Sequence, residues 1–143
     1  MQSIIIGSDH AGFTLKEAIK KRFSSTFQIT DKGTFSSDSV DYPDYAHAVA
    51  GEVGNGKYTF GILLCGSANG VAITANRHSG VRAAICWMPE IADLARKHNN
   101  ANIICIPARF VSDETAFLMI EKFFSTEFEG GRHQKRIDKI NCV

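Results

Sequence analysis

Five short apolar runs limit what this chain can fold into. They are "SIIIGS" (3–8), "FQIT" (27–30), "FGILLC" (60–65), "VRAAIC" (81–86) and "NIICIP" (102–107), and most of them lack polar alternation. A strand that is apolar on both faces has to be covered on both sides, as in a parallel sheet between two helical layers. The intervening segments have helical periodicity. Leu15, Ala18, Ile19 and Phe23 form one stripe, Ile91, Leu94 and Ala95 a second, and Phe117, Ile120 and Phe124 a third. "DYPDYAHAVAGEVGNG" (41–56) reads as a helix stopped by Gly-Asn-Gly, and another helix opens inside "ANGVAITANR" (68–77). The expected architecture is α/β: a three-layer α/β/α sandwich around a five-stranded parallel sheet, Rossmann-like and doubly wound. With 143 residues, 44% of them apolar, the chain has enough material for one domain, 1–143, and one sizeable core.

Charge and cysteine usage narrow the function classes. A formal net charge of +1 gives no electrostatic reason to expect a nucleic-acid partner. No run approaches the ~18 apolar residues of a membrane span. The opening "MQSIIIGSDHAG" has no basic segment and reaches Asp9 and His10 too early for a secretory signal. Cysteines 65, 86, 105 and 142 have no metal-site or disulfide-framework spacing. Free thiols in a reducing cytoplasm are the expectation.

In open parallel sheets, ligands bind beyond the carboxyl ends of the strands, at a topological switch point. Read in turn, those ends are "SDHAG" (8–12), "CGSANG" (65–70) and "PARF" (107–110). The second is neither a dinucleotide fingerprint nor a P-loop. Its backbone N–H groups from Gly66 to Gly70 can converge at a helix start, a place suited to an anion or a developing oxyanion. Cys65 beside them is either a strand-end packing residue or a base or nucleophile. Asp9 either caps a helix or, with His10, contacts a sugar or phosphate. His98 either suits a helix C-terminus electrostatically or belongs to a site, with Asn99 or Asn100 as the left-handed stop. In "GGRHQKR" (130–136), Arg132 and Arg136 share one helix face, which is either a solvated basic surface or a phosphate clamp that Arg109 could join. The tail helix has little apolar face and needs a surface to lie on, that of another subunit being the expectation.

Helix length adds a geometric constraint. "PEIADLARKH" (89–98) spans about 15 Å at 1.5 Å per residue and carries the chain to the opposite edge of the sheet. His98 should therefore lie far from Cys65 of its own chain. If both serve one site, a second subunit supplies one of them.

Five segments in order, "GSDHAGF", "DKGTFSSDSVDYPDYA", "GILLCGSANGVAITANR", "RKHNNANI" and "EGGRHQKRI", resemble the ribose-5-phosphate isomerase B family, which includes the galactose-6-phosphate isomerase subunits. The resemblance implies a cofactor-free, metal-free aldose–ketose isomerase acting on a phosphorylated pentose through an enediolate. It implies that Cys65 moves the proton between C1 and C2, while Ser67 and the amides of Gly66 to Gly70 steady the enediolate. His98, with Asp9 as helper, would open the furanose ring. Tyr42, Asn69 and Asn99 would contact hydroxyls, and His10, Arg109, Arg132 and Arg136 would hold the phosphate. Some members use a glutamate later in the loop, where this chain has Val71, so it resembles the cysteine type. "GSANG" departs from the threonine-containing loops of other cysteine-type members. The family forms dimers or tetramers with shared sites, so a homodimer or homotetramer is expected. A six-carbon phosphosugar such as allose or galactose 6-phosphate is the alternative substrate. A phosphosugar-binding module without catalysis is the alternative class.

Overall fold

The computed structural model describes residues 1–141, so Cys142 lies outside the described residues. Strand β1 (Gln2–Ser8) leads through a 3-10 turn (His10–Gly12) into α1 (Phe13–Arg22), followed by β2 (Phe27–Asp31) and α2 (Tyr42–Gly54). Next come β3 (Gly61–Cys65), α3 (Asn69–Ala75), β4 (Ala83–Ile85), α4 (Pro89–Asn99), β5 (Ile103–Pro107), α5 (Asp113–Ser125) and α6 (Arg132–Asp138). All strand pairs are parallel, in the order β2-β1-β3-β5-β4. From β1 the chain winds outward to β2 and then back to β3 on the other side. The switch point therefore lies between β1 and β3, where Asp9 and Cys65 end their strands.

The period of two explains why the runs are continuously apolar. Ile4, Ile6, Ile62, Leu64, Ile104 and Ile106 pack with α1, α4 and α5 on one face. Ile5, Leu63, Cys65, Ile103 and Cys105 pack with α2 and α3 on the other. Both layers draw on the same strands, so neither face has room for polar alternation.

Two local expectations shift. β4 is only three residues long, instead of spanning 81–86, because it is an edge strand with β5 as its one sheet neighbour. Its free edge is closed by Asn76, whose side chain accepts from the Ala83 N–H and donates to the Ala83 carbonyl (2.8 and 2.9 Å). In α4, Leu94 points outward at 41% exposure, while Ala92, Ala95 and Arg96 are buried.

Lys16 is fully buried beneath α1, and its Nζ lies 2.5 Å from Asp31 and 2.9 Å from Glu17. Burial alone would raise the Asp31 carboxyl. Hydrogen bonds from Lys16, Lys20 and the Gly33 amide outweigh it and hold the group below its ordinary value. A lowered carboxylate stabilises the fold above its unfolded pKa, and that contribution is lost as pH falls through the folded value. Stability should therefore decline below about pH 4. Lys16→Met leaves a buried carboxylate with one partner fewer and should cost roughly 3 kcal/mol in urea denaturation.

Candidate active site

The first cleft, about 360 Å³, opens at the switch point and is lined by Asp9, Tyr42, Cys65, Gly66, Ser67, Gly70, Arg109 and Phe110. Its shape follows from how β3 and β5 end together. The Ala108 N–H donates to the Cys65 carbonyl (2.9 Å) and the Arg109 N–H to the Gly66 carbonyl (3.1 Å), which brings Arg109 beside the glycine loop. Ala68 then turns left-handed, with φ of 66°, and α3 begins at the next residue. Gly70 is required there, because a Cβ would come within 2.6 Å of Tyr42 Cζ. Ser67 Oγ accepts from the backbone and side-chain amides of Asn69 (3.4 and 3.2 Å). Asn69 thus holds Ser67 and is not among the residues lining the cleft. Asp9 is buried and caps the 3-10 turn, its Oδ1 accepting from the Gly12 N–H at 3.1 Å. It is both a cap and part of the cleft wall. His10 Nδ1 accepts from the Val40 N–H at 3.2 Å, which ties the loop before α2 to the end of β1.

Cys65 is the only one of the three described cysteines that lines this cleft. Burial pushes the Cys86 thiol up to about 12. The Cys105 thiol is also raised, first by burial and then by Cys86 and Cys65. Both are packing residues.

A second cleft, about 390 Å³, is lined by His98, Asn99, His133, Arg136, Ile137 and Ile140. It forms where α4 ends before the start of β5, at the amino edge of the sheet. Asn100 makes the left-handed stop, with φ of 46°. Buried Arg96 braces that stop through Asn100 Oδ1 (2.8 Å), the Ala101 carbonyl (2.7 Å) and the Thr126 carbonyl (3.3 Å), with its guanidinium over Phe60 and Phe123. His98 and Asn99 are therefore held on a rigid turn. Against it α6 docks through His133 and Ile137, leaving Arg132 exposed and outside the cleft lining. The tail helix thus lies on its own chain along one side, with Ile140 55% exposed beyond it.

Cys65 ends a five-residue strand that His98 approaches from the other end, a separation of about 16 Å along the sheet at ~3.3 Å per residue. One chain gathers Asp9, Tyr42, Cys65, Gly66, Ser67, Gly70 and Arg109. It gathers His98, Asn99 and Arg136 separately.

The sequence reading passed over His133. Its ring stacks on His98 with centroids 4.3 Å apart and planes at 15°. The available signal was its place between Arg132 and Arg136, four residues after Glu129. Among the described residues, His98, Glu129 and His133 are the one group with metal-ligand composition, their donor atoms within 4.8 Å of one another. The near-parallel rings aim their in-plane lone pairs side by side, which suits a stack better than convergence on one ion.

Fold and clefts together define a doubly wound α/β protein whose switch-point glycine loop lacks the dinucleotide signature. More particularly, the chain belongs to the Ribose/Galactose Isomerase family, whose model matches residues 4–140. It is 40% identical over 144 residues to ribose-5-phosphate isomerase B of Escherichia coli K12, covering 100% of this chain and 97% of that protein. The crystal structure of a ribose 5-phosphate isomerase from Thermotoga maritima superposes with a TM-score of 0.97 at 49% identity, covering 99% of both chains. Ribose-5-phosphate isomerase B from Mycoplasma genitalium, solved with bound ribulose-5-phosphate, gives 0.92 at 44% identity, covering 96% of this chain and 93% of that one.

Proposed function

We propose that this chain interconverts ribose 5-phosphate and ribulose 5-phosphate, at sites that each join the Cys65 cleft of one copy to the His98 cleft of another. The observation that carries the reading is Cys65 in the cleft wall, where a buried strand meets the glycine loop beside Arg109. His98 gives a proton to the ring oxygen and, with Asp9 across the junction, accepts one from the C1 hydroxyl, releasing the open aldehyde. Cys65 as thiolate takes the C2 proton, electrons move onto O1, and the thiol, whose proton exchanges with solvent, returns one to C1 as the carbonyl forms at C2. Ser67 and the amides from Gly66 to Gly70 steady the enediolate oxygens, and the Ser67 hydroxyl passes the proton from O2 to O1. Tyr42 and Asn99 meet sugar hydroxyls, and Asn69 acts through Ser67. His10, Arg109, Arg132 and Arg136 grip the phosphate.

Association of two copies, as a homodimer or a homotetramer, accounts for the separation of the clefts and for the exposed apolar residues Ile73 and Ile140. Among the described residues no helix is long and apolar enough to cross a membrane. The three described free thiols support a cytoplasmic setting.

The test is turnover of ribose 5-phosphate, followed by ketose absorbance and by C2-proton exchange in NMR, with allose 6-phosphate run alongside. Binding without turnover of either sugar would overturn the reading. Faster turnover of the six-carbon sugar would transfer the assignment to that substrate. Within this assay Arg136→Ala should raise KM about 10- to 100-fold with a smaller change in kcat, since a charge-assisted phosphate contact contributes roughly 1.5–3 kcal/mol.

A further inference from the structure

We propose that His133 is a positioning residue for ring opening: stacked beneath His98, it fixes the plane in which the His98 imidazole meets the sugar. The inference rests on the assignment of His98 to that step.

The tail is built to deliver this ring. The Glu129 N–H donates to the Lys97 carbonyl at 3.1 Å, joining the loop to the last turn of α4. Gly130 and Gly131 then take positive φ values of 71° and 56°, which L side chains rarely adopt, and reverse the chain into α6. As a result residue 133 lies against residue 98. His133 is only 6% exposed, while its neighbours Arg132, Gln134, Lys135 and Arg136 are exposed. Glu129 Oε1 stands 3.4 Å from His133 Nε2 and 3.7 Å from His98 Nε2, so one carboxylate attends both rings. Among the described residues, buried His133 Nε2 has no hydrogen-bond partner.

The charges around the pair favour a division of labour. His98 has Lys97 beside it on α4, Glu129 in the loop, and Arg132, His133 and Arg136 on α6. Two stacked imidazolium ions among three cations would repel strongly. Burial first, then His98, Arg132 and Arg136, pull His133 below the ordinary imidazole value against the pull of Glu129. His133 is thus held toward its neutral form, as a platform for the ring stacked on it.

The two directions of the reaction separate this role from a structural one. Ribose 5-phosphate enters largely as a furanose, whereas ribulose 5-phosphate has its O5 esterified and cannot close to a furanose. Exchange of its C1 proton in D₂O needs the base but no ring opening. His133→Ala should lower kcat/KM for ribose 5-phosphate about 10- to 100-fold, in line with the penalty for a misplaced catalytic group. It should leave C1 exchange of ribulose 5-phosphate within about twofold of the parent enzyme. His133→Phe keeps the stacked ring and the buried volume, and should recover most of the ribose 5-phosphate activity. Equal losses in both reactions, no loss in either, or no recovery with phenylalanine would overturn the proposal. His98→Ala is the control for the underlying assignment: if that variant turns over ribose 5-phosphate normally, the ring-opening role of His98 fails first.

Discussion

Cys65→Ala should lose isomerisation by at least ~10³-fold while still binding the sugar phosphate within a few-fold of the parent affinity. In the proposed mechanism the thiol does the chemistry and the arginines the gripping, so the two effects split. No other described thiol reaches the cleft to substitute for it. Val71 of α3 is fully buried in the packing against the sheet, so the loop offers no carboxylate there. Cys86 and Cys105 are buried among apolar side chains with thiols raised well out of the working range. Isothermal titration with ribulose 5-phosphate and C1-proton exchange in D₂O measure the two halves separately. Retained exchange in the alanine variant would remove Cys65 from the role of base.

Mixing two dead variants should restore activity. If each site takes Cys65 from one copy and His98 from the other, Cys65→Ala and His98→Ala homodimers each have two defective sites. A mixed dimer has one doubly defective site and one intact site. After unfolding and refolding together, half the dimers are mixed, and activity should return to about a quarter of the wild-type level. Recovery that never exceeds the sum of the separate variants would show that each chain works alone, against the ~16 Å sheet between its two clefts. The mixing experiment therefore tests the shared site more directly than a sedimentation measurement, which reports association without saying what it builds.

Much of the fold was legible because a covered parallel sheet leaves a plain mark. Five continuous apolar runs, with helical stripes between them, specify both faces and both layers. Where the reading slipped, the cause was local. Leu94 fits the helical stripe by period, yet the layer over β5 and β4 is completed by Ala92, Ala95 and the stem of Arg96, which leaves Leu94 outside. The run 81–86 looked like a full strand, but an edge position needs fewer residues once Asn76 closes its rim.

The candidate site divides in the same way. Asp9, Cys65 and Arg109 could be placed at strand ends from sequence because each ends or closely follows an apolar run, while the strand order shows that β1 and β3 flank the switch point. That His98 lies a sheet's depth away also followed from the length of one helix. His133 was out of reach, because its meaning depends on how two glycines turn the tail back onto α4 and on a packing contact between residues 35 positions apart. So did the finding that Asn69 acts on Ser67, since helix-start asparagines face solvent and neighbours alike.

By itself, then, the sequence determined the layers, the strand ends and the chemical types placed there, because these depend on periodicity and on residue order. Only the tertiary structure decided which of those groups share a cleft, which are tied to the backbone, and which histidine lies beneath another. Those relations are set by side-chain packing across elements distant in the chain, and no local pattern encodes them.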